Sequence, residues 1–409
     1  MNTGHAWPTV AALGSAQTLA WASTYYLPAM LAAPMARDLD VSMPLVFAAF
    51  SGALVVSALL GPVAGHAIDR WGGRPVLIAT NLVFAVGLAL LSLSTGPVGL
   101  VAAWAVIGVG MGSGLYEAAF AALVRLYGSR SHNAITGITL IAGFASTVGW
   151  PLSTFFEAQW GWRGACLAWA ALHLLVGVPL NWSIPKAQVV EPPNPSLSTS
   201  KVSVPESSLP DGAHPRLIAV VLAFVFAVTW FISTAMAAHL PRLLEANGLT
   251  LTAAVAMGAL VGPSQVAGRL LEFSFLRRVH PLLSARLAAL AHPAGAVGLL
   301  LLGGPVAAIF AVLHGAGNGI LTIAKGTLPL VLFGPHGYGA RQGLLMLPAR
   351  IAQALAPLAF GLCLDRWGSD ALWLSVLAGL AAFTALLTIS VTPAAAATDA
   401  LPGHPAEKV

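Results

Sequence analysis

The sequence predicts an all-α membrane protein whose twelve transmembrane helices form two six-helix bundles related by a pseudo-two-fold repeat. Three observations support this fold class. Hydrophobic residues make up 57% of the 409-residue chain, whereas soluble globular chains are about 45–50% apolar. Apolar runs long enough to cross a bilayer, which takes about 20 helical residues, recur along the whole sequence. The second half of the chain also repeats features of the first half at one offset.

Turn signals between the apolar runs divide each half into six candidate helices. In the first half they are expected at 8–35, 42–67, 74–95, 98–124, 133–157 and 164–184. In the second half they are expected at 216–240, 251–275, 281–302, 305–332, 340–362 and 370–392. The opening stretch MNTGHAWPTV lacks the basic residues that usually begin a cleaved signal peptide, so the first helix is expected to be retained.

Between the two sets of helices lies PKAQVVEPPNPSLSTSKVSVPESSLPDGAHPR, which is rich in proline, serine and charge. Such a composition cannot build a core and is typical of a flexible linker. The chain is therefore expected to have four parts: an N-terminal transmembrane bundle over 1–184, a linker over 185–215, a C-terminal transmembrane bundle over 216–393, and a tail over 394–409.

Lys and Arg residues in the connectors predict the orientation of the protein. The side that carries both termini and the linker holds 12 of them, whereas the opposite side holds only four: Arg37, Arg163, Arg242 and Arg366. Cytoplasmic connectors carry the excess of basic residues in membrane proteins. We therefore expect the linker and both termini to lie in the cytoplasm, and the protein to lie in the plasma membrane, which is the inner membrane of a bacterium. We also expect a monomer.

The repeat is visible at an offset of 206 residues. WAVIGVGMGSGLYEAAFAALVRLYG at 104–128 aligns with FAVLHGAGNGILTIAKGTLPLVLFG at 310–334, and the sequence GALV occurs at 52–55 and again at 258–261. The same offset places Gly137 on Gly343 and Pro151 on Pro357. Two parallel repeats of six helices are the architecture of a large transporter class, whose substrate site lies near mid-membrane between the halves.

Several other functions are disfavoured by the composition. The net charge is +5, but the basic residues are scattered, so no nucleic-acid surface is expected. Cys166 and Cys363 fall in apolar runs and have neither disulfide nor metal spacing. The connectors contain no nucleotide-binding loop, metal cluster or nucleophile–base motif, so we expect no enzyme, no ATP-driven pump and no cofactor. A receptor with a transporter fold usually has a longer soluble tail.

A charged hairpin after the second helix identifies the family. The segment GHAIDRWGGR at 65–74 resembles the loop between helices two and three of the major facilitator superfamily, in which glycine, Asp-Arg, glycine and two basic residues recur. Five positions match the pattern, and Gly73 stands where the first basic residue is usual: Gly65, Asp69, Arg70, Gly72 and Arg74. The resemblance extends over the whole chain through helix count, linker position and repeat, and it implies transport by alternating access.

We call the five matching residues of this hairpin and Arg125, at the end of the fourth helix, the gating motif. Two roles are open for it. Asp69 can pair with Arg125 and help hold the two halves in one state, or the arginines can simply set the topology. Gly65 is expected to let a neighbouring helix approach closely. The second-half copy, GRLLEFSFLRR at 268–278, has lost the Asp-Arg pair.

Ionisable residues inside predicted helices are functional candidates, because charge is costly within a membrane. Glu117 is the one carboxylate predicted deep in the first half, and it can either carry a proton or form a fixed salt bridge with Lys325 or Arg350. Arg350 has no acidic residue one helical turn away, so we expect it to bind substrate. Arg269 is expected to pair with Glu272, three residues on.

Lys325 can act as a third cationic contact or extend to the membrane interface. Basic residues in the eighth and eleventh helices are also similar to the arrangement in oxalate and monocarboxylate carriers of the family. Further polar and aromatic candidates for the substrate site are Tyr25, Tyr26, Tyr116, Trp230, Gln265, His314, Asn318 and Gln353. The glycines at 108, 110, 112 and 114 indicate close helix packing.

The sequence thus predicts a secondary active transporter for a small anionic, carboxylate-like solute, coupled to protons or to exchange. The alternative is a proton-coupled exporter of neutral or cationic drugs. Such exporters in the family commonly carry an arginine where this chain has Trp104, and a Gly-Pro pair followed by glycines where it has GWPLS at 149–153. Both departures favour the first prediction.

Overall fold

The computed structural model describes residues 6–127, 131–186, 214–274, 279–333 and 338–389. Every regular element in these ranges is helical, and no strand occurs among them. The expected linker at 185–215 and the tail at 394–409 lie almost entirely or entirely outside the described residues. The division of the chain into four parts therefore stays a prediction.

The first half of the chain forms nine α-helices, interrupted by short breaks and one π-helical turn at His173–Gly177. They are α1 (Ala6–Ser23), α2 (Leu27–Asp38), α3 (Met43–Trp71), α4 (Gly73–Leu93), α5 (Pro97–Gly114), α6 (Tyr116–Tyr127), α7 (His132–Ala142), α8 (Ala145–Leu172) and α9 (Val178–Trp182).

The second half forms seven α-helices and two short 3-10 turns, at Gly304–Val306 and Gly368–Ala371. The helices are α10 (Pro215–Ala246), α11 (Leu251–Ala259), α12 (Val261–Ser274), α13 (Pro281–Leu302), α14 (Ala307–Phe333), α15 (Tyr338–Trp367) and α16 (Leu372–Leu387).

Within the described ranges, nine helical stretches are long and apolar enough to cross a membrane. Two of them, Ala134–Trp182 and Leu344–Leu387, are 49 and 44 residues long, about twice what one crossing needs. Each contains a glycine with positive φ where the chain turns, Gly161 or Gly368. Together with α1 and α2, which lie outside these nine stretches, the helices are consistent with the twelve predicted crossings.

The two halves share buried apolar clusters, because two of the clusters contain residues of both halves. We call the side with the α3–α4 turn at Gly72 the linker side and the opposite side the far side. On the far side, the Phe47 ring of α3 lies 4.0 Å from the His239 ring of α10. Ala237 and Ala354 of the second half are buried in the core of the first. The far side is therefore closed by direct packing between halves.

Glycines set the helix spacing within each half. A Cβ added at Gly108 of α5 would lie 2.9 Å from the Cα of Ala53 in α3, and one at Gly110 would lie 2.6 Å from the Phe84 ring in α4. In the second half, Gly317 of α14 stands in similar contact with α13, where a Cβ would lie 2.7 Å from the carbonyl oxygen of Ala288. The predicted role of the glycine series in close helix packing is confirmed.

The expectation for Gly65 is wrong, because an added Cβ there would meet no atom within 4 Å. The close approach occurs instead at Gly73, where a Cβ would clash with Ala122 of α6. In this structure a basic side chain at position 73 would therefore clash with α6. Gly72 precedes it with φ +89°, a left-handed conformation that glycine adopts without strain.

Candidate functional site

A cavity of about 630 Å³ lies between the two halves, within the range of about 300–1,000 Å³ typical of small-molecule sites. Side chains on its linker side, such as Pro62 and Glu117, are exposed, whereas the far side is closed by the packing of Phe47 on His239. Eleven of the twelve predicted substrate and coupling residues line it: Glu117, Arg350, Arg269, Lys325, Tyr25, Tyr26, Tyr116, Trp230, Gln265, Asn318 and Gln353. His314 lies behind its wall.

A break between α1 and α2 carries the first aromatic residues into the cavity. The backbone N–H of Tyr26 donates to the carbonyl oxygen of Trp21, five residues earlier, at 3.1 Å. The Tyr25 hydroxyl crosses to the second half and donates to Oγ1 of Thr234 at 2.6 Å. Irregular backbone at membrane depth is tolerated where it lines a cavity, and the break positions two tyrosines that a continuous helix would spread around its surface.

The aromatic wall belongs mainly to the first half. The ring centroid of Trp21 lies 4.9 Å from that of Tyr25 and 5.0 Å from that of Tyr116. Tyr116 in turn stacks on Phe120 at 5.4 Å. Aromatic rings in such contact form a rigid apolar surface, against which the flat part of a solute can pack.

A second break, at Leu115 between α5 and α6, places Glu117 in the first turn of α6. The amino end of a helix stabilises negative charge there. The Glu117 side chain is 61% exposed, and its Oε1 lies 3.2 Å from a guanidinium nitrogen of Arg350 in the other half. Glu117 is therefore accessible from the cavity and is not isolated, and the salt bridge to Arg350 that the sequence left as an alternative is present.

Arg350 has no acidic residue one turn away in its own helix, as the sequence shows, and its acidic partner, Glu117, comes from the other half of the chain. The two residues are 233 positions apart, so no pattern within one helix could reveal the contact. The Arg350 side chain is 41% exposed, and pairs this accessible contribute only about 0–1 kcal/mol to stability. An anion that enters the cavity can therefore compete with Glu117 for Arg350 at small energetic cost.

Arg269 does not form the predicted ion pair with Glu272. It is 6% exposed, and its guanidinium crosses to the first half and donates to the carbonyl oxygen of Thr139 in α7. The Tyr116 hydroxyl lies within hydrogen-bonding reach, and Nε of Arg269 has no hydrogen-bond partner among the residues that the structure describes. Glu272 points instead toward Ser284 of α13. Arg269 thus belongs to the cavity and has donor capacity left for a solute.

Lys325 lies in the cavity rather than at the membrane interface. It is 8% exposed, and its Nζ lies 4.7 Å from the ring centroid of Trp230 in α10, a cation–π contact. Of the two roles that the sequence allows, this position agrees with a cationic contact in the cavity.

Charge is unevenly distributed over this cavity. Among the described residues that line it, three are cationic and one is acidic. All three cations come from the second half, whereas the carboxylate and most of the aromatic rings come from the first. A cavity with this excess of positive charge attracts anions.

The gating motif makes its described contacts within the first half. Arg125 donates to the main-chain carbonyl oxygen of Asp69, not to its carboxylate. The Arg70 guanidinium carbon lies 5.8 Å from the Trp71 ring, and that of Arg74 lies 4.9 Å from the ring of Trp182 in α9. These contacts join the linker-side ends of α3 and α6 and those of α4 and α9. Arg277 and Arg278 of the second-half copy lie outside the described residues.

Sequence reasoning missed several polar and apolar residues of the wall, among them Ser57, Phe120, Thr139, Ser233, Thr322 and Met346. Helical spacing offers a signal for four of them. Phe120 is four residues after Tyr116, and Met346 is four residues before Arg350. Thr322 is four residues after Asn318 and three before Lys325, and Ser233 is three residues after Trp230. Residues at these spacings share a helix face, so each predicted cavity residue indicated its neighbours.

Comparison with known proteins agrees with this architecture. The model of the Major Facilitator Superfamily matches residues 13–323. An uncharacterized 38 kDa protein in the 23S RNA operon of Thermoproteus tenax is 28% identical over 366 residues, which cover 89% of this chain and 91% of that protein. Among solved structures, nucleoside transporter NupG has a TM-score of 0.71 over 93% of this chain and 98% of its own. At 12% identity, that likeness concerns the fold alone.

Two named relatives are similar over shorter stretches. Multidrug resistance protein fnx1 of Schizosaccharomyces pombe is 26% identical over 145 residues, or 35% of this chain and 27% of fnx1. Human Monocarboxylate transporter 2 is 26% identical over 161 residues, or 39% of this chain and 32% of that protein. The chain therefore spans about a third or less of either relative. The second similarity matches the resemblance to monocarboxylate carriers that the sequence suggested.

Proposed function

Because the chain belongs to the major facilitator superfamily, whose members are transporters, we propose that it carries a small anionic, carboxylate-like solute by alternating access. The observation that supports an anion is the charge of the cavity wall, where Arg269, Lys325 and Arg350 face a single carboxylate, Glu117, among the described lining residues. The similarity to Monocarboxylate transporter 2 supports the same class of solute. Transport is secondary active, coupled to protons or to exchange.

The arrangement suggests how such an anion would be held. Arg350 is accessible from the cavity and is paired only with an exposed carboxylate, so a solute carboxylate can replace Glu117 with two charge-assisted hydrogen bonds. Arg269 and Lys325 add positive charge from the same half. The rings of Trp21 and Tyr116, 5.0 Å apart, form the opposite wall for the apolar part of the solute.

We also propose where the protein acts. The excess of Lys and Arg on the linker side supports a cytoplasmic linker and cytoplasmic termini. The proposed location is the plasma membrane or bacterial inner membrane, and the proposed oligomeric state is a monomer. The cavity, open toward the linker side, then represents the inward-facing state.

Uptake into proteoliposomes tests the anion hypothesis. Purified protein would be reconstituted and given radiolabelled lactate, oxalate or benzoate under an inward pH gradient. Loss of the charge-assisted contact in Arg350→Ala should slow uptake of a transported anion by about 10- to 100-fold, equivalent to about 1.5–3 kcal/mol. The matched control is Arg366→Ala, an exposed arginine of the same helix α15 outside the cavity. If Arg350→Ala moves each of the three anions as fast as wild type, the proposal fails.

A second candidate is export of neutral or cationic drugs, which the similarity to fnx1 and the aromatic wall of the cavity favour. Under this alternative, Glu117 is the anionic contact for a cation. Cells that express the chain would then expel ethidium, and Glu117→Gln would abolish the expulsion. If the protein carries anions instead, neither wild type nor Glu117→Gln should change the amount of ethidium that the cells accumulate.

A further inference from the structure

Two histidines form a buried pair behind the cavity wall. His292 of α13 and His314 of α14 are 7% and 4% exposed, and their Nδ1 atoms lie 2.9 Å apart. Nε2 of His292 lies 3.0 Å from Oγ of Ser375 in α16. Ser375 is fully buried, so three helices of the second half are joined by one hydrogen-bonded chain.

The direction of these hydrogen bonds follows from the last member of the chain. Ser375 has one hydroxyl hydrogen, which it donates to the carbonyl oxygen of Leu372 at 2.8 Å. Its oxygen therefore accepts from Nε2–H of His292. Since a neutral imidazole carries only one N–H, Nδ1 of His292 must accept, and Nδ1–H of His314 must donate. Nε2 of His314 is then the unprotonated nitrogen of the pair.

His314, whose Nε2 is the unprotonated nitrogen, lies next to the cavity. His314 lines two small voids of about 30 Å³ and 10 Å³, each roughly the size of one water molecule. Asn318 and Ser233 line both voids and also the main cavity. Asn318 is one helical turn from His314 on α14, so a single layer of side chains separates the histidine from a bound solute.

Few other titratable groups surround His314. One is its hydrogen-bonded partner His292 of α13, and another is Tyr26, which lies in the break between α1 and α2 and lines the smaller void. The lining residues of both voids from α10, α12 and α16 include no charged or titratable side chain. The charged groups beyond the Asn318 layer are the four that line the cavity: Glu117, Arg269, Lys325 and Arg350.

We propose that Nε2 of His314, held in the acceptor state by His292 and Ser375, is the proton-binding site that couples transport to a proton gradient. This inference rests on the proposed anion transport and assigns its coupling group. Proton binding converts His314 to an imidazolium whose Nδ1–H remains bonded to His292. No other bond is made or broken, and the proton leaves by the reverse step.

The location explains why the proton would travel with an anion. Burial in an apolar environment disfavours any charged side chain, and the voids offer no carboxylate to compensate for an imidazolium. An anion in the neighbouring cavity supplies that negative charge. By linkage, each ligand strengthens the binding of the other, so an empty site stays neutral and an occupied site takes up one proton.

Nuclear magnetic resonance of the full-length protein tests the hydrogen-bonded chain without any solute. In protein labelled with ¹⁵N-histidine, the His314 signals, assigned with His314→Gln, should show hydrogen on Nδ1, and those of His292 should show hydrogen on Nε2. Ser375→Ala removes the acceptor of His292 and should change the tautomer populations of both histidines while keeping both rings. Hydrogen on Nε2 of His314 in wild type would overturn the proposal.

Transport assays test whether His314 couples proton movement to anion movement. They use whichever of lactate, oxalate or benzoate the wild-type protein carries. One proton per anion lets a pH gradient of one unit drive about tenfold accumulation. His314→Gln should lose this accumulation but keep anion counterflow, which needs no net proton movement, when the anion is saturating. Because the imidazolium is missing, the anion concentration that gives half-maximal counterflow should rise. The control is His214→Gln, an exposed histidine directly before α10 that lies outside the cavity and the gating motif.

The possible results separate this inference from the function on which it rests. If no anion is carried by wild type, the anion proposal fails and the coupling role fails with it. If wild type carries an anion but His314→Gln accumulates it as well as wild type, only the coupling assignment is overturned. Loss of both accumulation and counterflow in correctly folded His314→Gln would mean that the residue serves binding, which also contradicts the proposal.

Discussion

At the scale of single residues, the cavity is defined by where charges find their partners. Arg350 pairs with Glu117 at 3.2 Å, Arg269 reaches the carbonyl oxygen of Thr139, and the Lys325 ammonium lies over the Trp230 ring. The first two contacts join the two halves of the chain. Each of them must change when the halves move, so solute binding and conformational change involve the same side chains.

Neutralising Glu117 should strengthen anion binding. Glu117→Gln removes the carboxylate that competes for Arg350, and an exposed pair of this kind contributes about 0–1 kcal/mol, so the dissociation constant of a transported anion should fall by up to about fivefold. Binding can be measured by isothermal calorimetry in detergent. Glu157→Gln is the matched control, because Glu157 lies in α8 of the same half but outside the cavity. Weaker anion binding in Glu117→Gln would instead mean that the carboxylate contacts the solute directly.

At the scale of helices, the site depends on breaks and on glycine contacts. The breaks at Thr24–Tyr26 and at Leu115 turn Tyr25, Tyr26 and Glu117 into the cavity. The glycines of α5 and α14 let these helices approach their neighbours closely enough to hold the breaks in place. Helix geometry and site geometry are therefore set together.

Two glycines on neighbouring helices should respond oppositely to a methyl group. In Gly108→Ala the new Cβ would lie 2.9 Å from the Cα of Ala53, and overpacking of this kind costs about 1–3 kcal/mol. In Gly52→Ala the Cβ would meet nothing within 4 Å, so the gain in helix propensity of about 0.5–1 kcal/mol should remain. Thermal unfolding in detergent should therefore show a lower midpoint for the first variant and an equal or higher one for the second. Equal midpoints would mean that α3 and α5 can move apart freely.

At the scale of the whole molecule, the halves meet on the far side and leave the cavity open on the linker side. Phe47 packs on His239, and Ala237 is buried between the halves. Alternating access requires these far-side contacts to open when the linker side closes. The observed state is thus one end of the expected cycle.

Cysteine labelling should detect that exchange of accessibility. With Cys166 and Cys363 replaced by serine, a membrane-impermeant maleimide should modify Ala58→Cys, which lines the cavity. It should leave Ala237→Cys, which is 6% exposed, largely unmodified. Addition of a transported anion should lower the labelling rate of Ala58→Cys and raise that of Ala237→Cys. A rate that does not change at either position would argue against the rocking of two rigid halves.

The sequence predicted most of the fold, all four charged residues that the structure describes in the cavity wall and four of its six aromatic residues, because charged and aromatic residues inside apolar runs are rare and conspicuous. It did not predict their partners. The contact of Arg350 with Glu117 and that of Arg269 with Thr139 each join distant parts of the chain, whereas sequence patterns report only neighbours within a helix. The break at Leu115 was missed for a related reason, since no proline accompanies it and packing against other helices decides where the chain bends.

The division of chemistry between the halves has an evolutionary consequence. The cations Arg269, Lys325 and Arg350 belong to the second half, and the rings of Trp21, Tyr25 and Tyr116 belong to the first. Substitutions in one half can alter the charge of the accepted solute while the surface that fits its shape is retained, and the reverse also holds. Gene duplication and recombination of halves would then generate carriers with new cargo from existing parts.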